Sequence, residues 1–132
     1  MQSRILDINR VMSLLELDEP DGTDSFFADL VKEFSSDADQ LIQSIQRSIQ
    51  QQDRAMIAAH SHSFRGASLN MGAVALADVC ETLETQVKGS DLASTRTWLT
   101  ELENLYQATI HALETIKDQT VNQGGQHDIS YR

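Results

Sequence analysis

The chain has 132 residues, enough for one domain, and 40% of them are hydrophobic although only 5% are aromatic. Ten basic and twenty acidic residues give a net charge of −10, and no basic patch is visible, which argues against a nucleic-acid partner. One cysteine, Cys80, excludes an internal disulfide and fits a reducing cytosol. No apolar run approaches the roughly 18 residues that a membrane span needs, so we expect a cytoplasmic domain that does not enter a membrane.

Apolar residues recur at helical spacing along almost the whole chain. The first predicted helix is short and ends near Pro20 and Gly22. Its apolar residues are Ile5, Ile8, Met12 and Leu15. A long second helix is predicted over about 24–50, and the polar QQQD turn that follows places Asp53 as the N-cap of the third helix.

The third helix carries apolar residues seven apart, and Gly72 marks its end. A fourth helix closes at Gly89, with Ser90 or Asp91 as the cap of the next one. The last helix is predicted to fade near Lys117. The polar, glycine-rich segment 121–132 is predicted to be a flexible tail, which leaves residues 1–120 as the domain.

Four long amphipathic helices joined by short turns predict an all-α protein, an antiparallel up-down four-helix bundle. The short N-terminal helix is expected to cover one end of this bundle.

Two histidines lie two residues apart on the third helix and point about 200° away from each other. The face of His60 also holds Ile57, Phe64 and Met71, which form the predicted core stripe. His60 is therefore expected to be a partly buried, hydrogen-bonded structural residue. His62 is expected to point outward.

The residues around His62 indicate a docking site for a partner that carries a phosphoryl group. Arg65 follows one turn later on the same face, where its guanidinium can reach the oxygens of an anion on the ring. Glycine within a helix costs about 1 kcal/mol relative to alanine, so Gly66 is expected to provide clearance for the partner. Ala58 and Leu69 add apolar surface to this face. The neutral imidazole, with a free lone pair, is the nucleophile.

This stretch resembles the histidine-containing phosphotransfer (HPt) domains of multistep two-component signalling. The family's signature, roughly H-x-[LF]-[KR]-G-[AS]-[SA], matches HSFRGAS over 62–68. A hydrophobic residue and glycine follow at 71–72, and the later C-x-x-[LI]-[EQ] element matches CETLE over 80–84. The match holds only when His62 is the first residue, because Ser63 and Phe64 break the pattern counted from His60.

The resemblance implies that His62 takes a phosphoryl group from the aspartyl phosphate of one response-regulator receiver and passes it to another. It also implies a monomeric phosphocarrier rather than an enzyme. The receiver would bring Mg²⁺, no cofactor would be bound here, and a hybrid sensor kinase is a further expected partner. HPt relatives commonly have Gln or Glu at the position of Glu84. A hairpin turning near Met71-Gly72 would put position 62 level with about 81, and Glu84 would then lie within one turn of His62. Glu84 is therefore predicted to accept a hydrogen bond from the Nδ1–H of His62.

Other interpretations remain open. Direct phosphorylation by a kinase domain, as in chemotaxis kinases, is the nearest alternative, and a helical adaptor without phosphotransfer is another. A metal site is disfavoured because His-x-His rings diverge on a helix and no histidine follows the Glu-x-x-His spacing of di-iron bundles. Cys80 is expected to be a small core residue because it shares a stripe with Leu76 and Leu83.

Overall fold

The computed structural model describes residues 4–18, 26–89 and 91–126. Five helices lie in these ranges: α1 (Ile8–Leu15), α2 (Phe26–Gln50), α3 (Arg54–Asn70), α4 (Val74–Gly89) and α5 (Leu92–Gln126). The predicted fold class, an all-α four-helix bundle with a short N-terminal helix, is confirmed. The expectations for Pro20, Gly22, Ser90 and residues 127–132 lie outside the described residues.

Aspartates begin three of the helices. Asp7 accepts hydrogen bonds from the backbone N–H groups of the first turn of α1, and Asp53 does the same for Met56 in α3. Asp91 accepts from the N–H of Ser94, which holds the pKa of its carboxyl below the ordinary value. Each cap satisfies N–H groups that have no partner inside the helix. The predicted capping role of Asp53 is confirmed, and Asp91 caps α5.

An aromatic cluster joins three helices at the centre of the bundle. Phe34 of α2, Phe64 of α3 and Tyr106 of α5 are buried, with ring centroids 6.2–6.4 Å apart. The Tyr106 hydroxyl lies 3.2 Å from the carbonyl oxygen of Ser35 and 3.3 Å from Oδ1 of Asp39. Because Phe64 is fixed in this cluster, the rotation of α3 about its own axis is fixed as well.

Helix α1 lies against the turn between α3 and α4. The N–H of Asp7 donates to the carbonyl oxygen of Gly72 at 2.7 Å, and Nε of Arg10 donates to the carbonyl oxygen of Asn70 at 2.9 Å. Gly72 has φ +76, and a Cβ there would lie 3.1 Å from the carbonyl oxygen of Asp7 and 3.2 Å from Val11. Glycine therefore permits both the left-handed backbone and the close approach of α1.

The buried side of α3 differs in one respect from the predicted core stripe. Ser61 and Ser68 are fully buried beside Ile57 and Phe64, whereas His60 is only partly buried. The expected partial burial of His60 is found, but its core position is occupied by Ser61. The physical reason is that α3 packs between α2 and α4, so its buried face is centred on the line through 57, 61, 64 and 68, and small serine side chains fit where the helices approach closely.

Helix α5 continues to Gln126, beyond the predicted fading near Lys117. The segment lacks proline, so the backbone hydrogen bonds of the preceding turns can continue through its polar residues. Cys80 is fully buried in α4, as expected for a core residue, and burial raises the pKa of its thiol to about 12. Within the described part of the chain, no helix combines the length and the apolar character that a bilayer crossing demands.

Candidate functional site

The side chain of His62 projects from the middle of α3 into solvent. It is 67% exposed, although its neighbours Ser61 and Phe64 are both fully buried. Phe64 points almost opposite to His62 and Ser61 about a quarter-turn away, so the packing of these two residues into the core determines the outward direction of the imidazole. A ring that is anchored in this way is accessible to a large partner.

Glu84 of α4 lies beside the ring of His62. Its Oε2 is 3.3 Å from Nδ1 of His62, and its side chain is 23% exposed. A hydrogen on Nδ1 can therefore be donated to this carboxylate, which leaves Nε2 with a lone pair. The structure puts position 62 opposite 84 rather than 81, because the turn includes Met71–Ala73 and α4 begins only at Val74.

Arg65 lies opposite Glu81, a residue that the sequence reasoning did not single out. Nε of Arg65 is 4.0 Å from Oε1 of Glu81. Arg65 follows His62 by one turn on α3, and Glu81 precedes Glu84 by one turn on the antiparallel α4. Once His62 lies opposite Glu84, this spacing places Arg65 opposite Glu81. We call the four residues His62, Arg65, Glu81 and Glu84 the α3–α4 ridge. In the ridge as it stands, the guanidinium is paired with a carboxylate.

The predicted docking residues differ in how far they are exposed. A Cβ on Gly66 would meet nothing within 4 Å, so the space beside His62 is open. Leu69 is 44% exposed, so it offers apolar surface on this face. Ala58 is half-buried and packs against the core, so it offers only part of its surface. The structure brings Gly66 and Leu69 together with His62 on one open face.

His60 faces the groove between α2 and α3. The groove also contains Leu41, Ser63, Ala67 and the polar side chains of α2 around Asp37. The residues that the structure describes give His60 no hydrogen-bond partner, so the predicted hydrogen-bonded role is not found there. The physical reason is that His60 is only partly buried and the groove is open, so the imidazole does not require a partner within the protein.

Beneath the ridge lies the thiol of Cys80. Its pKa is raised chiefly by burial, and the charge of Glu84 raises it further while that of Arg65 lowers it. Cys80 is thus a protonated, inert part of the core. Among the described residues, no three His, Cys, Asp or Glu side chains are grouped so that they could hold a metal ion.

Comparison with known proteins identifies the class. The model of the Hpt domain family matches residues 29–116. A histidine-containing phosphotransfer protein B from Pseudomonas aeruginosa superposes with a TM-score of 0.77 at 24% identity, covering 89% of this chain and 98% of that one. A putative histidine-containing phosphotransfer protein from rice gives 0.77 at 20% identity, covering 92% and 86%. One from Medicago truncatula gives 0.74 at 22% identity, covering 91% and 84%. No curated protein sequence matches the chain.

The helical bundle is the fold of the similar phosphotransfer structures, and here its third helix carries an exposed histidine. The family match covers most of the chain, including α3, α4 and the greater part of α2 and α5. The protein belongs to the Hpt domain family, and it is a histidine phosphotransfer protein of phosphorelays.

Proposed function

We propose that His62 is the residue that accepts the phosphoryl group, from the aspartyl phosphate of one receiver domain, and that it passes the group to the aspartate of another. The observation that carries this proposal is the pairing of an exposed ring with a carboxylate at one nitrogen only: Glu84 lies 3.3 Å from Nδ1 of a side chain that is 67% exposed. Among the residues that the structure describes, no carboxylate lies beside the other histidine of α3 in this way.

The chemistry follows from the two nitrogens. The lone pair of Nε2 attacks the phosphorus, and an N–P bond forms as the bond from phosphorus to the aspartyl oxygen breaks. The electron pair of the broken bond stays on the leaving carboxylate. Nδ1 keeps its hydrogen, so the ring gains positive charge while it carries the phosphoryl group. The Glu84 carboxylate stabilises that charge and holds the ring in orientation.

The face around His62 is suited to a partner that approaches closely. Gly66 leaves open space beside the ring, and Leu69, with part of Ala58, adds apolar surface. Arg65, one turn from His62, supplies a cation for the oxygens of the phosphoryl group. In-line transfer requires reacting atoms about 3 to 3.5 Å apart, so clearance at Gly66 contributes directly to rate.

The proposal includes the partners and the setting. Receiver domains are the direct partners, a hybrid sensor kinase supplies the phosphoryl group upstream, and the receiver brings Mg²⁺ as well as its own catalytic residues. The protein then acts as a monomeric phosphocarrier in the cytoplasm, where a single reduced cysteine is stable, and not as an enzyme.

The test is incubation with a radiolabelled phosphorylated receiver, followed by separation of the proteins. We expect label on this chain that is labile in acid and stable in alkali, as a phosphoramidate is. A kinase domain with ATP alone, without a receiver, should transfer nothing. Label that appears only with the kinase domain and never with the receiver would support direct phosphorylation and contradict the proposal.

A further inference from the structure

The α3–α4 ridge contains two carboxylates, and only one of them, that of Glu84, lies beside His62. Glu84 lies 3.3 Å from His62, and Glu81 lies 4.0 Å from Arg65. We propose that Glu81 is a positioning residue: it holds Arg65 while His62 is unphosphorylated and releases it to the phosphoryl group once His62 carries one. This inference rests on the proposed role of His62.

The ion pair is weak enough to exchange. Its distance of 4.0 Å is at the outer limit for direct interaction, and the two side chains are 37% and 60% exposed. Exposed pairs of this kind gain little free energy, because water and salt screen the charges and because two long side chains must be held in place. Arg65 can therefore leave Glu81 at small cost.

The phosphoryl group is the stronger partner for the guanidinium. A phosphoryl group carries about −1.5 to −2 charges and three acceptor oxygens, against one charge and two oxygens on a carboxylate. Arg65 is one turn from His62 on the same face of α3, within reach of an anion on the ring. Its planar guanidinium can donate two parallel hydrogen bonds to phosphoryl oxygens. On phosphorylation, the arginine is thus expected to exchange partners.

The exchange influences how readily the phosphoryl group is passed on. The contact between Arg65 and Glu81 stabilises only the unphosphorylated state, so it lowers the equilibrium constant for loading His62. The ridge also has two carboxylates to one guanidinium, so the phosphoryl charge is added where negative charge is already in excess. Both effects favour transfer of the phosphoryl group from His62 to the next receiver, as a carrier between two receivers requires.

The test compares Glu81→Gln with Asp78→Asn. Asp78 is exposed on α4, one turn from Glu81, and it has no ion pair among the residues that the structure describes. Each variant removes one negative charge from the same helix. We expect Glu81→Gln to raise the equilibrium constant for transfer from a phosphorylated receiver by about 1.5- to fivefold, less at high salt. Asp78→Asn should leave it unchanged. An equal rise in both variants would contradict a specific role for Glu81.

An arginine background shows whether Glu81 acts through Arg65. In Arg65→Gln protein, the further change Glu81→Gln should alter the equilibrium constant much less than it does in the native chain. The same fold-change in both backgrounds would overturn the proposal, since Glu81 would then act only as a nearby charge. The Nε–H resonance of Arg65 supplies an independent readout: it should shift on phosphorylation in native protein, and a resonance that does not move would equally overturn the exchange.

The proposed function is tested separately in the same experiment. If the native chain takes no label on His62, the role of His62 is wrong. If His62 is labelled normally and Glu81→Gln has no effect on the equilibrium, only the inference about Glu81 is wrong.

Discussion

The two sides of α3 carry the same chemical group and differ in what faces it. His62 lies on the side of α4, where a carboxylate is 3.3 Å from its Nδ1. His60 lies on the side of α2, in a groove of mixed polar and apolar side chains, with no hydrogen-bond partner among the described residues. An imidazole alone is a common surface group. The neighbour that holds one nitrogen and leaves the other free makes the difference between a nucleophile and a surface side chain.

The largest expected effect is the loss of phosphoryl acceptance in His62→Gln. Glutamine cannot form a stable N–P bond, so transfer from a phosphorylated receiver should fall to background. His60→Gln is the matched control on the other side of α3, and it should keep normal acceptance with little loss of stability. Label transfer followed by gel separation measures both. Normal labelling of His62→Gln, together with loss of labelling in His60→Gln, would show that His60 rather than His62 accepts the phosphoryl group.

The next effect concerns the space beside the ring. A glutamine at Gly66 would stand where a receiver must approach, and a misplacement of about 1 Å can slow transfer about a hundredfold. Gly66→Gln should therefore slow transfer from a receiver strongly, whereas phosphoramidate, a small donor, should react at closer to the normal rate. Rapid-quench measurement with the two donors gives the ratio.

The control for Gly66 is Gly89→Gln, which adds the same side chain at a second open helical position and should leave both rates unchanged. Gly66→Ala should keep the native fold or stabilise it by up to about 1 kcal/mol, since alanine is the better helix former. Equal slowing with both donors in Gly66→Gln would mean that the glycine shapes the histidine itself.

A smaller effect is expected for Glu84. Removing the carboxylate in Glu84→Ala frees the ring to rotate and leaves its tautomer unspecified, so the rate should fall by about tenfold. Because Glu84 acts on the ring, a receiver and phosphoramidate should be slowed alike, unlike the case of Gly66. Glu84→Gln, whose amide oxygen still accepts a hydrogen bond, should recover part of the rate. An unchanged rate in Glu84→Ala would show that the Glu84 carboxylate does not contribute to phosphoryl transfer at His62.

The smallest effect on transfer is expected for Cys80, which lies beneath the ridge. Cys80→Ala should transfer normally at pH 7. The buried thiol has its pKa raised to about 12, so the stability that this contributes is fully present below about pH 9 and is lost as pH rises toward 12. The loss is at most about 1.4 kcal/mol per pH unit. Urea unfolding between pH 8 and 11 should show a shallower decline in Cys80→Ala. If the free energy of unfolding declined with pH equally in the native chain and in Cys80→Ala, the raised pKa of the Cys80 thiol would be contradicted.

The fold was largely predictable because its signals are local. Helical periodicity predicts the helices, and the caps at Asp53 and at Ser90 or Asp91 predict where two of them begin. Gly72 predicts the turn of the hairpin that brings α4 to His62. The end of α5 was not predictable, because residues 121–126 are mostly polar and include two glycines. Such a composition does not distinguish a solvated helix from a coil.

Within the site, the sequence predicts which histidine points outward but not every neighbour. Ser61 was missed as a core residue because serine is usually exposed, and its burial follows only from the close packing of α3 between α2 and α4. Glu81 was missed because it lies opposite Arg65 only when position 62 lies opposite 84, whereas the predicted register put position 62 level with about 81. Sequence spacing predicts a face well, whereas contacts across two helices require the register of the turn.

The proposed role of His62 is tested most directly by determining which nitrogen of which histidine becomes phosphorylated. The chain, labelled with nitrogen-15 in histidine and phosphorylated by a receiver, is examined by phosphorus and nitrogen NMR. We predict a single N–P bond at Nε2 of His62, with Nδ1 still carrying its hydrogen. A phosphoryl group on His60, or on Nδ1 of His62, would contradict it.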